Sequence, residues 1–216
     1  MSDKFPTAGR TIPALLLGLS LSACVGTAYS GPVEVTRFIS EESAAVGQGT
    51  IAITFPEEMS NLRAKEAFYN AVAAQLTGLG YTIADEARPD IQTARVATSR
   101  SALGPASSRG PVNVGVGGST GSYGSGLGVG IGINLGGNSA RPNALTELSV
   151  RISDASGNSL WEGRAQQAIS INSPYAEVEA SAAALASALF KDFPGGADAA
   201  RGETVTIKLD EIQEPE

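Results

Sequence analysis

Apolar residues along this chain recur at two spacings, every second position in some stretches and every third or fourth in others. Val33-Glu34-Val35-Thr36-Arg37-Phe38 alternates and predicts a first strand. Gly49 to Phe55 alternates more strictly, with Ile51, Ile53 and Phe55 on one face. The period then changes. From Ser60 to Leu79, Phe68, Val72, Leu76 and Leu79 fall three or four apart in an alanine-rich background, one stripe on an amphipathic helix. Pro56-Glu57-Glu58 closes the preceding strand and puts acids near the helix start, where the helix dipole favours them. Gly80 is the expected C-terminal cap.

Tyr81 to Ala84 begins another extended segment, Asp85 to Pro89 turns, and Ile91 to Thr98 predicts a strand. Further on, Asn143 to Asp154 puts Leu148, Val150 and Ile152 on one face and Leu145, Glu147, Ser149 and Arg151 on the other. Ala155-Ser156-Gly157-Asn158 is turn chemistry, and Leu160 to Ile171 is the return strand of a hairpin. Ser173-Pro174 reads as an N-cap with Pro at the first helical position. The helix it opens runs to Asp192, with Val178, Leu185, Leu189 and Phe193 inward, and Pro194-Gly195-Gly196 ends it. Glu203 to Leu209 alternates and suits a late edge strand. This order predicts an α+β domain of two layers, a largely antiparallel sheet with two helices on one face.

Residues 104–137 break the pattern. They hold 13 of the chain's 26 glycines. Val112, Val114 and Val116 alternate there with Asn113 and Gly115, and Leu127 to Leu135 alternates apolar residues with glycine or asparagine. A glycine-serine turn, Ser119 to Ser125, separates the two runs, so a long Gly-rich hairpin or loop insert is expected. Glycine at every second position weakens strands, and a loop of this length is usually functional or disordered. The plain reading is an insert or edge hairpin resting its apolar face on the sheet. The sharper reading is self-assembly of several copies, or pairing with another protein's sheet edge, because Leu127 to Leu135 has the length of a membrane-spanning strand.

The N-terminus is a different kind of segment. Lys4 and Arg10 precede an apolar run, Ile12 to Leu21, of signal-peptide length, too short to span a bilayer as a helix. Leu21-Ser22-Ala23-Cys24 follows and resembles the lipobox of bacterial lipoproteins. The resemblance implies cleavage between Ala23 and Cys24, with a covalent lipid on the Cys24 sulfur. Cys24 is the only cysteine in the chain, and a free thiol would be out of place in an oxidising compartment. Val25 stands where an aspartate would signal inner-membrane retention in Gram-negative lipoproteins, so the expected address is the periplasmic side of the outer membrane. Residues 1–23 are then a signal peptide and 24–32 a tether.

Cutting after Ala23 leaves 13 Lys and Arg against 21 Asp and Glu, a formal charge of −8. That balance argues against nucleic acid as a partner. Residues 196–216 form an acidic C-terminal extension. The chain has no histidine, which removes Ser-His-Asp and Cys-His catalysis and His-based zinc sites. No Gly-x-Gly-x-x-Gly spacing and no Gly-Lys pair occurs, so both nucleotide-loop signatures fail. Asp85, Glu86 and Asp90 lie close together and offer carboxylates for calcium or glycosidase chemistry, weighed against an ordinary solvated turn. Trp161 with Arg164 is the candidate ligand-binding pair, for a glycan or a small apolar molecule. A core tryptophan is the commoner use of such a position.

Several short motifs resemble a family of bacterial lipoproteins defined by a domain of unknown function, DUF4136. They are Leu79-Gly80-Tyr81 closing the first helix, Arg88-Pro89-Asp90-Ile91 opening a strand, the glycine-rich insert, Leu148 to Asp154 leading through Gly157 into Leu160-Trp161-Glu162-Gly163, and Phe193-Pro194 after the last helix. The resemblance covers residues 33–195 and implies an envelope lipoprotein of α+β fold with no assigned activity. The expected function is an outer-membrane-anchored structural or interaction module without catalysis, metal or cofactor beyond its lipid, working with an envelope protein partner. The alternatives are a binding protein for a small apolar or glycan ligand, a carboxylate hydrolase at Asp85, Glu86 and Asp90, and self-assembly through the Gly-rich hairpin.

Overall fold

The computed structural model describes residues 28–40, 46–103, 142–195 and 202–212. The leader, Cys24, the 104–137 insert and the last residues of the acidic tail lie outside them. Among the described residues are strands β1 (Ser30–Ile39), β2 (Gly49–Thr54), β3 (Tyr81–Ala84), β4 (Gln92–Ala102), β5 (Ala144–Ser153), β6 (Ser159–Ile169) and β7 (Thr204–Ile207). The helices are α1 (Leu62–Gly78) and α2 (Val178–Phe190). The strands form one seven-stranded sheet in the order β3-β2-β4-β5-β6-β1-β7, so the fold is mixed α+β.

The sheet is antiparallel from β4 through β7, and parallel where β2 pairs with β3 on one side and β4 on the other. Parallel neighbours need a crossover, and α1 supplies it between β2 and β3. The helix begins later than the acids at Glu57 and Glu58 suggest. Those residues fall in a turn closed by Met59 N–H donating to the Pro56 carbonyl (3.1 Å), and no acid lies in the first turn of α1. Asn61 decides the start instead, its side-chain oxygen accepting the Ala64 N–H at 3.1 Å. The other end behaves as the sequence indicates. Gly80 takes φ +101°, a left-handed conformation that favours glycine, just past the last turn.

The β5–β6 hairpin is the spine of the sheet. Along β5 every second residue from Ala144 to Ile152 is buried, and Leu145, Glu147, Ser149 and Arg151 face outward. Its turn is tied by Asp154, whose carboxylate accepts from the backbone N–H of Ser156 and Asn158 (2.8 Å each) and from the Asn158 side chain (3.0 Å). Those hydrogen bonds, the Asn158 side chain first, hold the Asp154 carboxyl below its ordinary range. Gly157, at φ +86°, completes the bend.

A single turn of 3-10 helix, Pro174–Ala176, precedes α2; Ser173 caps it by accepting the Tyr175 N–H at 3.1 Å. α2 ends at Phe190, short of the expected Asp192: the backbone leaves helical geometry at Lys191 (ψ 133°) and Asp192 takes φ +55°, while the Ala188 and Leu189 carbonyls meet a side chain from β1. Phe193, expected to face inward, does so from beyond the end of the helix, packing back on Trp161 and Phe190. Phe68, Val72 and Leu76 of α1, Leu185 and Leu189 of α2, and Val35, Leu148, Ile152 and Trp161 of the sheet belong to one continuous hydrophobic cluster. β7 pairs with β1 at the edge of the sheet, where the alternation of Glu203 to Leu209 places it.

Candidate functional site

The α2 C-terminus packs against β1 and β6 around a cluster of aromatic rings. Trp161, fully buried, stacks on Phe190 with ring centroids 5.4 Å apart and planes 17° from parallel. Phe193 leans against both rings, at 5.2 Å from Trp161 and 5.7 Å from Phe190. The indole N–H donates to the Pro194 carbonyl at 2.9 Å, so the polar edge of a buried tryptophan is satisfied. Gly163 makes the packing possible. A β-carbon there would collide with the Trp161 ring and stand 2.7 Å from the Leu189 Cδ1.

Beside this cluster lies a residue the alternation pattern hid. Arg37 occupies an inward position of β1, two residues beyond Val35, and is buried. Its Nε donates to the Leu189 carbonyl (2.9 Å) and its Nη2 to the Ala188 carbonyl (2.8 Å). A cation thus sits on the negative end of the α2 dipole. Burial draws the guanidinium below its ordinary range, and Asp192 pulls the other way. The signal was available in the sequence: a charge at an inward step of Val33-Glu34-Val35-Thr36-Arg37 needs a buried partner.

The outward face of the antiparallel strands is polar and laid out in rows by the register. Phe38, Glu162 and Arg151 stand across from one another on β1, β6 and β5; so do Thr36, Arg164 and Ser149, and so do Glu34, Gln166 and Glu147. Arg151 Nε donates to Glu162 at 2.7 Å, Gln166 Nε2 donates to Glu147 at 2.6 Å, and Arg164 lies 3.5 Å from the other Glu147 oxygen. Such exposed pairs contribute little stability, but they give the face a fixed pattern of charge. Glu34 differs from its neighbours. One of its carboxylate oxygens is buried without a hydrogen-bond partner, and burial pushes its pKa up.

The two members of the candidate ligand pair are separated by this geometry. Trp161 points into the core and Arg164, three residues on, points outward, so they line no common site. Asp85, Glu86 and Asp90 are exposed in the β3–β4 connection, with Arg88 Nε 3.6 Å from Asp90. Among the described residues no three Asp, Glu, Cys or His side chains gather closely enough to hold a metal ion. Cys24 and Ala23 lie outside the described residues.

A family model described as a domain of unknown function, DUF4136, matches residues 50–195. The chain belongs to the DUF4136 family. The match opens inside β2 and ends just past the Trp161–Phe193 cluster, so the DUF4136 segment holds the aromatic cluster while β1 and β7 flank it on either side. Comparison with curated proteins found no match. Among solved structures, the chain is similar to a PDZ domain protein from Parabacteroides distasonis at 15% identity and a TM-score of 0.49, covering 82% of this chain and 39% of that one. It thus spans about two fifths of the length of that protein. It is also similar to the PelC dodecamer from Paraburkholderia phytofirmans at 12% identity and a TM-score of 0.35, covering 71% of this chain and 91% of that one.

Proposed function

We propose that this DUF4136 protein is a lipid-anchored module of the bacterial envelope, held on the periplasmic side of the outer membrane, that acts by binding another envelope protein rather than by catalysis. The carrying observation is the join between Leu21-Ser22-Ala23-Cys24 and the fold: β1 begins at Ser30, six residues after Cys24. A lipidated Cys24 would therefore hold a folded domain close to the bilayer, acyl chains supplying the attachment at about 0.8 kcal/mol per buried methylene. In this reading both helices lie on one face of the sheet in a two-layer domain. That leaves the patterned face of Glu34, Glu147, Arg151, Glu162, Arg164 and Gln166 for the partner.

Cys24→Ser tests the anchor. Fractionation of cells should find the variant released from the membrane while circular dichroism shows an unchanged fold; a variant that stays fully membrane-bound would make the apolar leader the anchor instead. Crosslinking from Arg164 in cells should recover one specific envelope protein. Failure to do so, together with turnover of a cell-wall or lipid substrate by the pure protein, would remove the binding-module reading.

A further inference from the structure

Two of the three large apolar side chains exposed on the described surface, Leu62 (76% exposed) and Ile171 (73%), occupy the same end of the domain. The register defines that end. Ser30 of β1 pairs with Ile169 of β6, Ile169 with Ala144 of β5, and Ala144 with Ala102 of β4, so these four residues form one terminal row. Ile171 follows directly, and its N–H donates to the Asn143 side chain at 2.9 Å. Ser173 bonds Ser30 through their hydroxyls at 2.7 Å, which brings the start of the α2 segment to the row. Arg63, next to Leu62, reaches Glu179 at 2.8 Å and Glu177 at 3.4 Å, which brings the start of α1 there as well. The third exposed apolar residue, Phe38 (54%), is eight residues along β1 from Ser30, toward the opposite end.

The chain enters the domain at this same end. Ser170 N–H donates to the Tyr29 carbonyl at 2.9 Å, so Ala28 and Tyr29 lie beside Ile171. Cys24 is four residues before Ala28, a span of at most about 14 Å when fully extended. The opposite end, at the Gly157 turn, is a strand's length away, about 33 Å for ten residues.

Resting on the lipid-anchor reading above, we propose that the Leu62 and Ile171 end docks on the lipid surface, the two side chains entering the boundary between headgroups and acyl chains. The occupant is the bilayer because a tether this short leaves the end nowhere else to face once Cys24 carries lipid. Aliphatic side chains exposed at such a surface lose their contact with water by inserting shallowly. Arg63 and Arg100, the arginines at this end among the described residues, are engaged, and Glu57 and Glu58 shortly before Leu62 are exposed acids. Arg63 pairs with two glutamates, and Arg100 Nη1 donates to the Ala176 carbonyl at 2.8 Å. Attraction to anionic headgroups is therefore secondary.

The acylated full chain provides its own test system, since lipid consumes its only cysteine and any introduced cysteine labels uniquely. Leu62→Cys, Ile171→Cys, Phe38→Cys and Ser156→Cys each carry an environment-sensitive dye, in phosphatidylethanolamine–phosphatidylglycerol vesicles doped with bromolipid. The expected result is loss of roughly half the fluorescence or more at positions 62 and 171 and none at 38 and 156, given shallow burial. Equal quenching at all four positions, or stronger quenching at 38 and 156, overturns the docking. Vesicle sedimentation of the same acylated samples against Cys24→Ser reports the anchor separately. If both sediment alike the lipid reading fails, whereas acyl-dependent sedimentation with no difference among the dyes sinks only the proposed orientation.

Discussion

The two helices bear on the same core in different ways. α1 has 17 residues and buries four of them, Ala67, Phe68, Val72 and Leu76, in a single stripe. α2 has 13 and buries eight, five of them Ser or Ala, with Leu185, Leu189 and Phe190 among them. α1 packs against α2 and the edge strand β3; α2 packs against β6, β1, β5 and α1 together. Small residues let the α2 backbone approach the sheet closely on several sides, and the approach leaves no slack. α1 follows the usual logic of a surface helix, one apolar face and one wet one. A helix's buried set, more than its length, tells how much the fold depends on it.

The contrast is broken most forcefully at Trp161, which joins α2 to the sheet. Trp161→Ala removes two ring contacts and the bond to Pro194, and should cost about 3–5 kcal/mol in urea unfolding. A loss under about 1 kcal/mol would mean that α2 is held elsewhere. Arg37→Met keeps the packed stem and removes the cation from the Leu189 and Ala188 carbonyls. It should cost about 1.5–3 kcal/mol, with hydrogen exchange quickening in the last turn of α2 before anywhere in α1. Size changes sharpen the comparison. Ala186→Leu, fully buried on α2, should cost about 1–3 kcal/mol through overpacking, whereas Ala74→Leu on the exposed side of α1 should stay within about 0.5 kcal/mol.

The smallest expected effect is on the sheet's outer face. Glu34 has a raised pKa in the fold, so folded protein binds more protons than unfolded protein between the two pKa values. Its contribution is favourable at low pH and is lost as pH rises from the ordinary glutamate range through the raised folded value. Glu34→Gln should therefore be slightly more stable than the parent at neutral pH, with the gap closing as pH falls through the raised folded value and gone below 4.5. A gap that widens on acidification would show that Glu34 is held as a carboxylate by a partner.

Most of the local structure was legible because burial imposes a period. Val150 and Ile152 against Ser149 and Arg151 leave β5 no other register, and Asp154 with Gly157 leaves its turn no other place. Parallel pairing of β2 with β3 and β4 was not legible, since alternation along a strand says nothing about its neighbours. Glu57 and Glu58 fall before α1 rather than in its first turn, because a side-chain acceptor at Asn61, one residue past the expected Ser60, satisfies an N–H outright. Trp161 and Arg164 looked like a pair in sequence; a separation of three along a strand puts them on opposite faces. Arg37 went unread because its partners, the Leu189 and Ala188 carbonyls, come from backbone some 150 positions away.

The register of β1 has a mechanical side. It is bonded along its length to β6 and over Val33 to Thr36 to β7, with Thr36 and Thr204 hydroxyls 2.7 Å apart. Tension arriving from residues before Ala28 runs along the β1 axis, at right angles to its interstrand hydrogen bonds. Both ladders are then loaded in shear, many bonds at once, instead of being peeled one by one. β7, from the far end of the sequence, thus reinforces β1 against a pull from the N-terminal side.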